Sequence, residues 1–239
     1  MKILSTIVSE SIAGFKEMLF PEVCVCCGCP TLNDGNMLCP FCQDSAFDPA
    51  NYYGNSSCPG VILPEGILFQ YALWKYDKGG VLQRMLHLVK YGGIGRLGFE
   101  MGVLTGSALV GTKFWSSFST HSSIGLLPVP LHPKKKRLRG YNQAELVATG
   151  ISEVTGIPLI PENMVVRQRY TGTQTGHDLQ GRLKNLSEAF RVDQQESVKD
   201  KLIIIVDDVF TTGATSYALA QVLKESGVNE MGILTVAFA

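Results

Sequence analysis

The residues of this chain that can do chemistry fall into three runs, and residues 202–215 have the tightest logic. They read Leu-Ile-Ile-Ile-Val-Asp-Asp-Val-Phe-Thr-Thr-Gly-Ala-Thr. The five branched apolar residues at the start predict a strand buried on both faces. Asp207 and Asp208 follow at its carboxyl end, where open α/β sheets bind their ligands. Thr211, Thr212, Gly213, Ala214 and Thr215 then form a turn of small and hydroxyl-bearing residues that leads into a helix. Such a turn lets backbone N–H groups and hydroxyls close on a phosphate. Two carboxylates beside it would repel a polyphosphate, but they suit a vicinal diol, whose hydroxyls donate to them. The run predicts a site for a phosphorylated ribose. The competing reading, an acidic strand end that merely caps the next helix, does not require the turn and the acids in register.

A second run, residues 126–143, reads Leu-Leu-Pro-Val-Pro-Leu-His-Pro-Lys-Lys-Lys-Arg-Leu-Arg-Gly-Tyr-Asn-Gln. It leaves an apolar strand, turns through prolines and presents five cations within residues 134–139. That charge density suits a diphosphate or a nucleic-acid backbone. A solvated basic loop is the plain alternative.

The third run holds six of the seven cysteines: Cys24, Cys26, Cys27, Cys29, Cys39 and Cys42. Two C-x-x-C pairs predict a tetrahedral site of four thiolates, a ligand set that suits structural zinc. The first pair has two registers, Cys24 with Cys27 or Cys26 with Cys29. Gly28 directly after Cys27 favours the first, so the expected ligands are Cys24, Cys27, Cys39 and Cys42. A redox C-x-x-C is the rival, but it belongs at a helix start in a βαβ unit, which nothing around Cys24 offers. Cys26, Cys29 and Cys58 are left as free thiols.

The elements that must position these runs are legible in outline. Residues 69–76 alternate like a strand, and residues 79–89 place Leu82, Met85, Leu86 and Val89 on one helical face. A second apolar helix is expected over 94–110, a buried strand over 124–129, and a helix over 141–154 with Asn142 as a possible cap. Residues 163–167, 202–206 and 232–239 read as strands, and 216–225 as a helix ended by Gly227. Strands and helices alternate from residue 69 onward, which predicts an α/β domain with a largely parallel sheet. Residues 48–59, rich in Asn, Ser, Gly and Pro, form a plausible boundary.

Bulk properties exclude several classes. With 239 residues, 45% hydrophobic and 18% charged, the chain is globular rather than disordered. Its formal net charge is zero, so basic surface must be local. Ile3, Leu4, Ile7, Val8, Ile12, Phe15 and Leu19 recur at helical spacing, but Glu10 and Glu17 interrupt any apolar run. An amphipathic helix is expected there, not a secretory signal. No stretch approaches the roughly 18 apolar residues of a membrane span, so no membrane partner is expected. Clustered cysteines point to a metal in a reducing, cytoplasmic setting rather than a disulfide framework.

Residues 202–215 resemble the 5-phosphoribosyl-1-pyrophosphate (PRPP) signature of type I phosphoribosyltransferases. The resemblance implies that Asp207 and Asp208 hold the ribose hydroxyls and that Thr211, Thr212, Gly213, Ala214 and Thr215 hold the 5′-phosphate. Relatives acting on 6-oxopurines carry a third acid at the position of Thr211, so the resemblance points away from hypoxanthine and guanine. Other motifs narrow the family. The Pro-Val-Pro-Leu-His-Pro turn, the cations and Arg-Gly-Tyr-Asn-Gln follow His87-Leu88-Val89-Lys90-Tyr91-Gly92. They precede Thr173-Gln174, Arg182 and Asn185, then Ala189-Phe190. In that order they are similar to the ComF and GntX family of phosphoribosyltransferase-like proteins, which includes a competence protein linked to DNA uptake.

This resemblance implies a type I phosphoribosyltransferase-like domain over 61–239 and a small zinc module over 1–60 acting as the hood. It implies PRPP with magnesium as ligand, with Pro130, Lys134, Lys135 and Arg139 on the pyrophosphate side. It implies Asp207, Asp208 and Arg182 as the catalytic set for moving a phosphoribosyl group to a nitrogen nucleophile of a small-molecule acceptor, with release of pyrophosphate. The chain departs from the family in one stretch: residues 172–181 hold no lysine or arginine, although Arg167, Arg169 and Arg182 flank it. Two other functions are compatible with these features. One is an accessory role in DNA uptake, touching single-stranded DNA or DNA-processing proteins; the other is a PRPP or nucleotide sensor.

Overall fold

A computed structural model describes residues 23–31, 35–50, 53–54, 63–112, 115–119, 121, 123–168, 189–193 and 198–239. The expected N-terminal helix, Cys58, Arg169, Thr173, Gln174, Arg182 and Asn185 lie outside the described residues. The chain divides into two compact units, Met1–Phe47 and Asp48–Ala239.

In the first unit, residues 23–30 fold back on themselves. Val23 bridges Pro30, the Gly28 N–H donates to the Cys24 carbonyl at 2.8 Å, and Gly28 takes φ +76. That left-handed conformation is the one a Cβ disfavours, so glycine is required directly after Cys27. Helix α1 (Pro40–Ser45) starts with proline at its first position, where no N–H is needed, and buries Cys42.

The second unit is built on a five-stranded sheet. Its strands are β1 (Tyr53–Gly54), β2 (Ile67–Lys75), β3 (Ile124–Pro128), β6 (Leu202–Phe210) and β7 (Glu230–Phe238). They lie in the order β1-β2-β7-β6-β3; β1 is antiparallel to β2 and the other pairs are parallel. A separate antiparallel pair joins β4 (Val165–Arg167) to β5 (Phe190–Val192). This is the expected α/β architecture with a largely parallel sheet.

The core explains the sequence pattern. Leu202, Ile203, Ile204, Ile205 and Val206 are each 0–1% exposed. At about 1.5–3 kcal/mol for each fully buried branched side chain, this strand anchors the unit. Strand alternation sends Ile203 and Ile205 to one face. There they join a cluster with Val165, Phe190 and Ala218, Leu219 and Leu223 of helix α7 (Ala214–Glu225). Ile204 and Val206 point to the other. Strand β2, expected to alternate, is buried at most positions because neighbouring strands and helices cover both its faces.

Four more helices complete the frame: α2 (Val81–Tyr91), α3 (Gly95–Val110), the short α4 (Trp115–Phe118) and α6 (Gln143–Thr155). Helices α3 and α6 cross closely, because a Cβ on Gly102 would run into the Val147 carbonyl and one on Gly150 into the Phe99 carbonyl. Asn142 caps α6 as expected, its side chain accepting from the Ala144 N–H at 3.2 Å.

One element is a helix where the sequence showed only a proline turn and a run of cations. The basic run forms helix α5 (Pro133–Arg139), with Pro133 at its first position. The His132 side chain accepts from the Lys134 N–H, and Gly140 closes the helix at φ +87. Lys136, Arg137 and Arg139 occupy its last turn, where cations complement the carbonyl end of the helix. Proline, read as a turn residue, is here a helix starter.

Candidate functional site

A cleft of about 490 Å³ opens at the carboxyl ends of β3 and β6. Asp207, Asp208, Thr211 and Thr215 line it from one side, and Pro130, Lys135 and Arg139 from another. The two runs singled out in the sequence therefore meet in one cavity. Lys90, Tyr91, His87, Gln143 and Arg167 add to the polar lining.

Strand β6 does not stop at Val206 but continues through both acids to Phe210. Both carboxylates line the cleft, close enough for their side chains to interact. Asp208 is 4% exposed, and its Oδ2 stands 2.5 Å from Lys90 Nζ. Burial works against the charge of Lys90, but the Asp208 carboxylate more than offsets it and holds the ammonium above its ordinary value. Asp207 is half-buried, and its Oδ1 accepts from the Asp208 N–H at 2.8 Å. Loss of solvent, and then the adjacent Asp208 charge, raises its carboxyl well above the usual carboxylate range.

The turn after the strand has the shape a phosphate requires. Gly213 takes φ +72, and a Cβ there would fall 2.5 Å from the Phe210 ring and 2.6 Å from the Tyr217 ring. Helix α7 starts at Ala214 with no side-chain cap on its first N–H groups, which leaves them available to an anion. Thr211 and Thr215 face the cleft; Thr212, Gly213 and Ala214 form the turn behind them.

Helix α5 sorts its cations by position. Lys135 and Arg139, four residues apart, share the face that lines the cleft. Lys136 turns to Glu162, at 2.5 Å, and Glu145, at 3.5 Å. Lys134 is exposed and outside the lining. Burial, and then the like charges of Arg167, Arg139 and Lys90, lower the Lys135 ammonium. The Arg139 side chain donates to Gln143 and lies over the Tyr91 ring, 5.3 Å from its centroid. Tyr91 is 69% exposed and packs at 4.7 Å from His87.

Sequence reasoning named Lys90 and Tyr91 only as motif residues and Arg167 only as a flanking cation. Their signal was present: Lys90 is a lone cation in the last turn of an otherwise apolar helix face, and Arg167 ends a strand.

In the first unit, Cys24, Cys27, Cys39 and Cys42 bring their sulfurs within 4.8 Å of one another. Cys27 Sγ and Cys39 Sγ are 3.7 Å apart. A tetrahedron with zinc–sulfur bonds of about 2.3 Å has edges of about 3.8 Å, so the set fits the ion. Burial raises the Cys24 thiol, but hydrogen bonds from the Cys39, Cys27 and Cys26 backbone outweigh it and bring it down to about 6. Burial, then the neighbouring thiols, pushes Cys42 up. The cluster uses the Cys24/Cys27 register; Cys29 is exposed, and Cys26 lies beside Cys42 without joining the four.

Comparison with known proteins adds a relationship. The chain is 35% identical over 115 residues to Competence protein F of Haemophilus influenzae, covering 48% of this chain and 50% of that protein. It is 31% identical over 129 residues to Competence protein ComFC of Bacillus subtilis, covering 51% and 50%. The chain is similar to these ComF proteins over about half of its length. A DNA utilization protein, YhgH of Shigella flexneri, is 38% identical to this chain over 104 residues, 43% of it and 44% of that protein. The chain spans about half the length of the curated relatives it matches. No family model matches the chain. Solved structures that align with it do so at low similarity, among them two phosphoribosyl enzymes. A glutamine PRPP amidotransferase from B. subtilis gives 18% identity, TM-score 0.38, 58% of this chain and 26% of that one. A purine phosphoribosyltransferase from Pyrococcus horikoshii gives 19% identity, TM-score 0.35, 58% and 73%.

Proposed function

We propose that this chain binds PRPP, as its magnesium complex, in the cleft between β3 and β6, and transfers its phosphoribosyl group to a nitrogen nucleophile. One observation carries the reading: two carboxylates, a hydroxyl-bearing phosphate turn and several cations line a single cavity. Each part matches one part of the ligand. Asp207 and Asp208 accept from the ribose hydroxyls. Thr211, Thr215 and the N-terminus of α7 take the 5′-phosphate. Lys135, Arg139 and Arg167 face the diphosphate, with Pro130 shaping the wall between.

Magnesium enters as part of the substrate and screens the diphosphate oxygens from the acids. Positive charge grows on the ribose ring and negative charge on the departing diphosphate as the C1–oxygen bond breaks. Carboxylates and cations fixed before reaction stabilise both. Arg182, for which the sequence resemblance suggests a catalytic role, is retained on that ground alone. The four-thiolate cluster holds structural zinc in this reading.

The test is release of pyrophosphate from PRPP across a panel of bases and amines. At least one acceptor is expected to release it, and Asp208→Asn is expected to abolish the release. No release with any acceptor would remove the transferase step. The DNA-related names of the curated relatives favour a second reading, an accessory role in DNA uptake in which α5 contacts single-stranded DNA. That reading expects DNA affinity to fall steeply with salt and to weaken in both Lys134→Ala and Lys135→Ala.

A further inference from the structure

Lys90 lies in the last turn of α2, and the end of that helix is anchored. The Tyr141 hydroxyl donates to the Val89 carbonyl at 2.6 Å, and the Gly92 N–H to the Leu88 carbonyl at 2.8 Å. Leu82, Met85, Leu86 and Val89 bury the helix against the body. The backbone of Lys90 is thus fixed, while its side chain remains 27% exposed to the cleft. The buried Asp208 Oδ2 faces the Lys90 ammonium at 2.5 Å.

The charge balance of the cleft points to an exchange. Among the described residues, Lys90, Lys135, Arg139 and Arg167 line it against Asp207 and Asp208. Such an excess of cations suits a ligand with several negative charges. Before that ligand arrives, one of the cations is engaged with Asp208.

We infer that Lys90 is the residue by which this cleft selects a ribose bearing a diphosphate over one that lacks it. In the free chain it neutralises Asp208; on binding it swings to the anionic oxygens of the diphosphate and releases Asp208 to accept from a ribose hydroxyl. The step is an exchange of one ion pair for another, with no bond made or broken. Ribose 5-phosphate offers Lys90 no partner on that side, so freeing Asp208 would strand a charge in a partly buried site. The inference rests on the PRPP reading above.

Calorimetry with magnesium–PRPP and, separately, with ribose 5-phosphate tests it on the full chain and on Lys90→Gln and Lys90→Arg. Glutamine keeps an N–H donor for Asp208 but brings no charge to a diphosphate. Lys90→Gln is expected to weaken PRPP binding roughly tenfold to a hundredfold, the range of one charge-assisted contact. Ribose 5-phosphate binding should stay within about threefold, and Lys90→Arg should recover most of the PRPP affinity. If Lys90→Gln fails to melt cooperatively, Lys90→Met, whose unbranched side chain keeps the packing without the charge, carries the comparison. In it the preference for PRPP must be lost. Equal weakening of both ligands, or no change in either, overturns the inference alone. Failure of the unsubstituted chain to bind either ligand overturns the PRPP reading with it.

Discussion

At the residue scale, the acidic pair sets function against stability. Asp207 is held toward its protonated form by burial and by the charge of Asp208. A carboxyl raised in this way supports folding only while it is protonated; as pH rises through its folded-state value, the desolvated charge costs stability. Asp207→Asn removes that cost. Its Tm is expected to exceed that of the unsubstituted chain at neutral pH, by about 2–4 °C for each kcal/mol relieved. The gap should close in acid, where Asp207 is neutral in both folded and unfolded chains, and PRPP affinity should fall at every pH. A melt series of both proteins across pH checks this; a lower Tm for the variant at neutral pH would show that Asp207 stabilises the fold.

At the element scale, the phosphate turn and helix α5 make separate predictions. Gly213→Ala puts a Cβ into the Phe210 and Tyr217 rings at a left-handed position, so the turn must open. A loss of ~1–3 kcal/mol in unfolding free energy is expected by denaturant titration, together with weaker phosphate binding. On α5, Lys135→Ala and Arg139→Ala should each weaken PRPP binding severalfold, whereas Lys134→Ala should leave it unchanged. If Lys134→Ala weakens PRPP as much as Lys135→Ala, the helical sorting of these cations is wrong.

The same elements show what could be read in advance. The five apolar residues of β6 and the periodic face of α2 announced themselves, because burial on two faces or one stripe leaves a direct pattern in sequence. Helix α5 did not. It is short, carries a proline and has no apolar stripe, so its cues were a helix start easily taken for a turn and a glycine at its end. Missing it meant treating residues 134–139 as one patch, when three or four residues per turn divide them between cleft, ion pairs and solvent. Lys90 was also hidden, because its partner is 118 positions further along the chain and only the fold brings the two together. Strand β5, the partner of the expected β4, escaped for a related reason: Phe190–Val192 is only three residues long, too short for a period to show.

At the scale of the whole molecule, a chain of zero net charge concentrates its cations where two acids already stand. The Met1–Phe47 unit has another source of order, four sulfurs with the spacing of a zinc tetrahedron. The purified chain is expected to carry about one zinc ion by elemental analysis. Cys24→Ser and Cys42→Ser should lose it, and Cys29→Ser should keep it. Because metal binding and folding of such knuckles are linked, a strong chelator should unfold this unit. Loss of zinc from Cys29→Ser but not from Cys24→Ser would reverse the ligand register.

The central claim is that the cleft at the ends of β3 and β6 is a PRPP site, and calorimetric titration with PRPP in magnesium buffer tests it most directly. The account predicts saturable binding at one site per chain, lost in Asp208→Asn and weakened in Lys135→Ala. Absence of binding, or binding that survives Asp208→Asn unchanged, would contradict it.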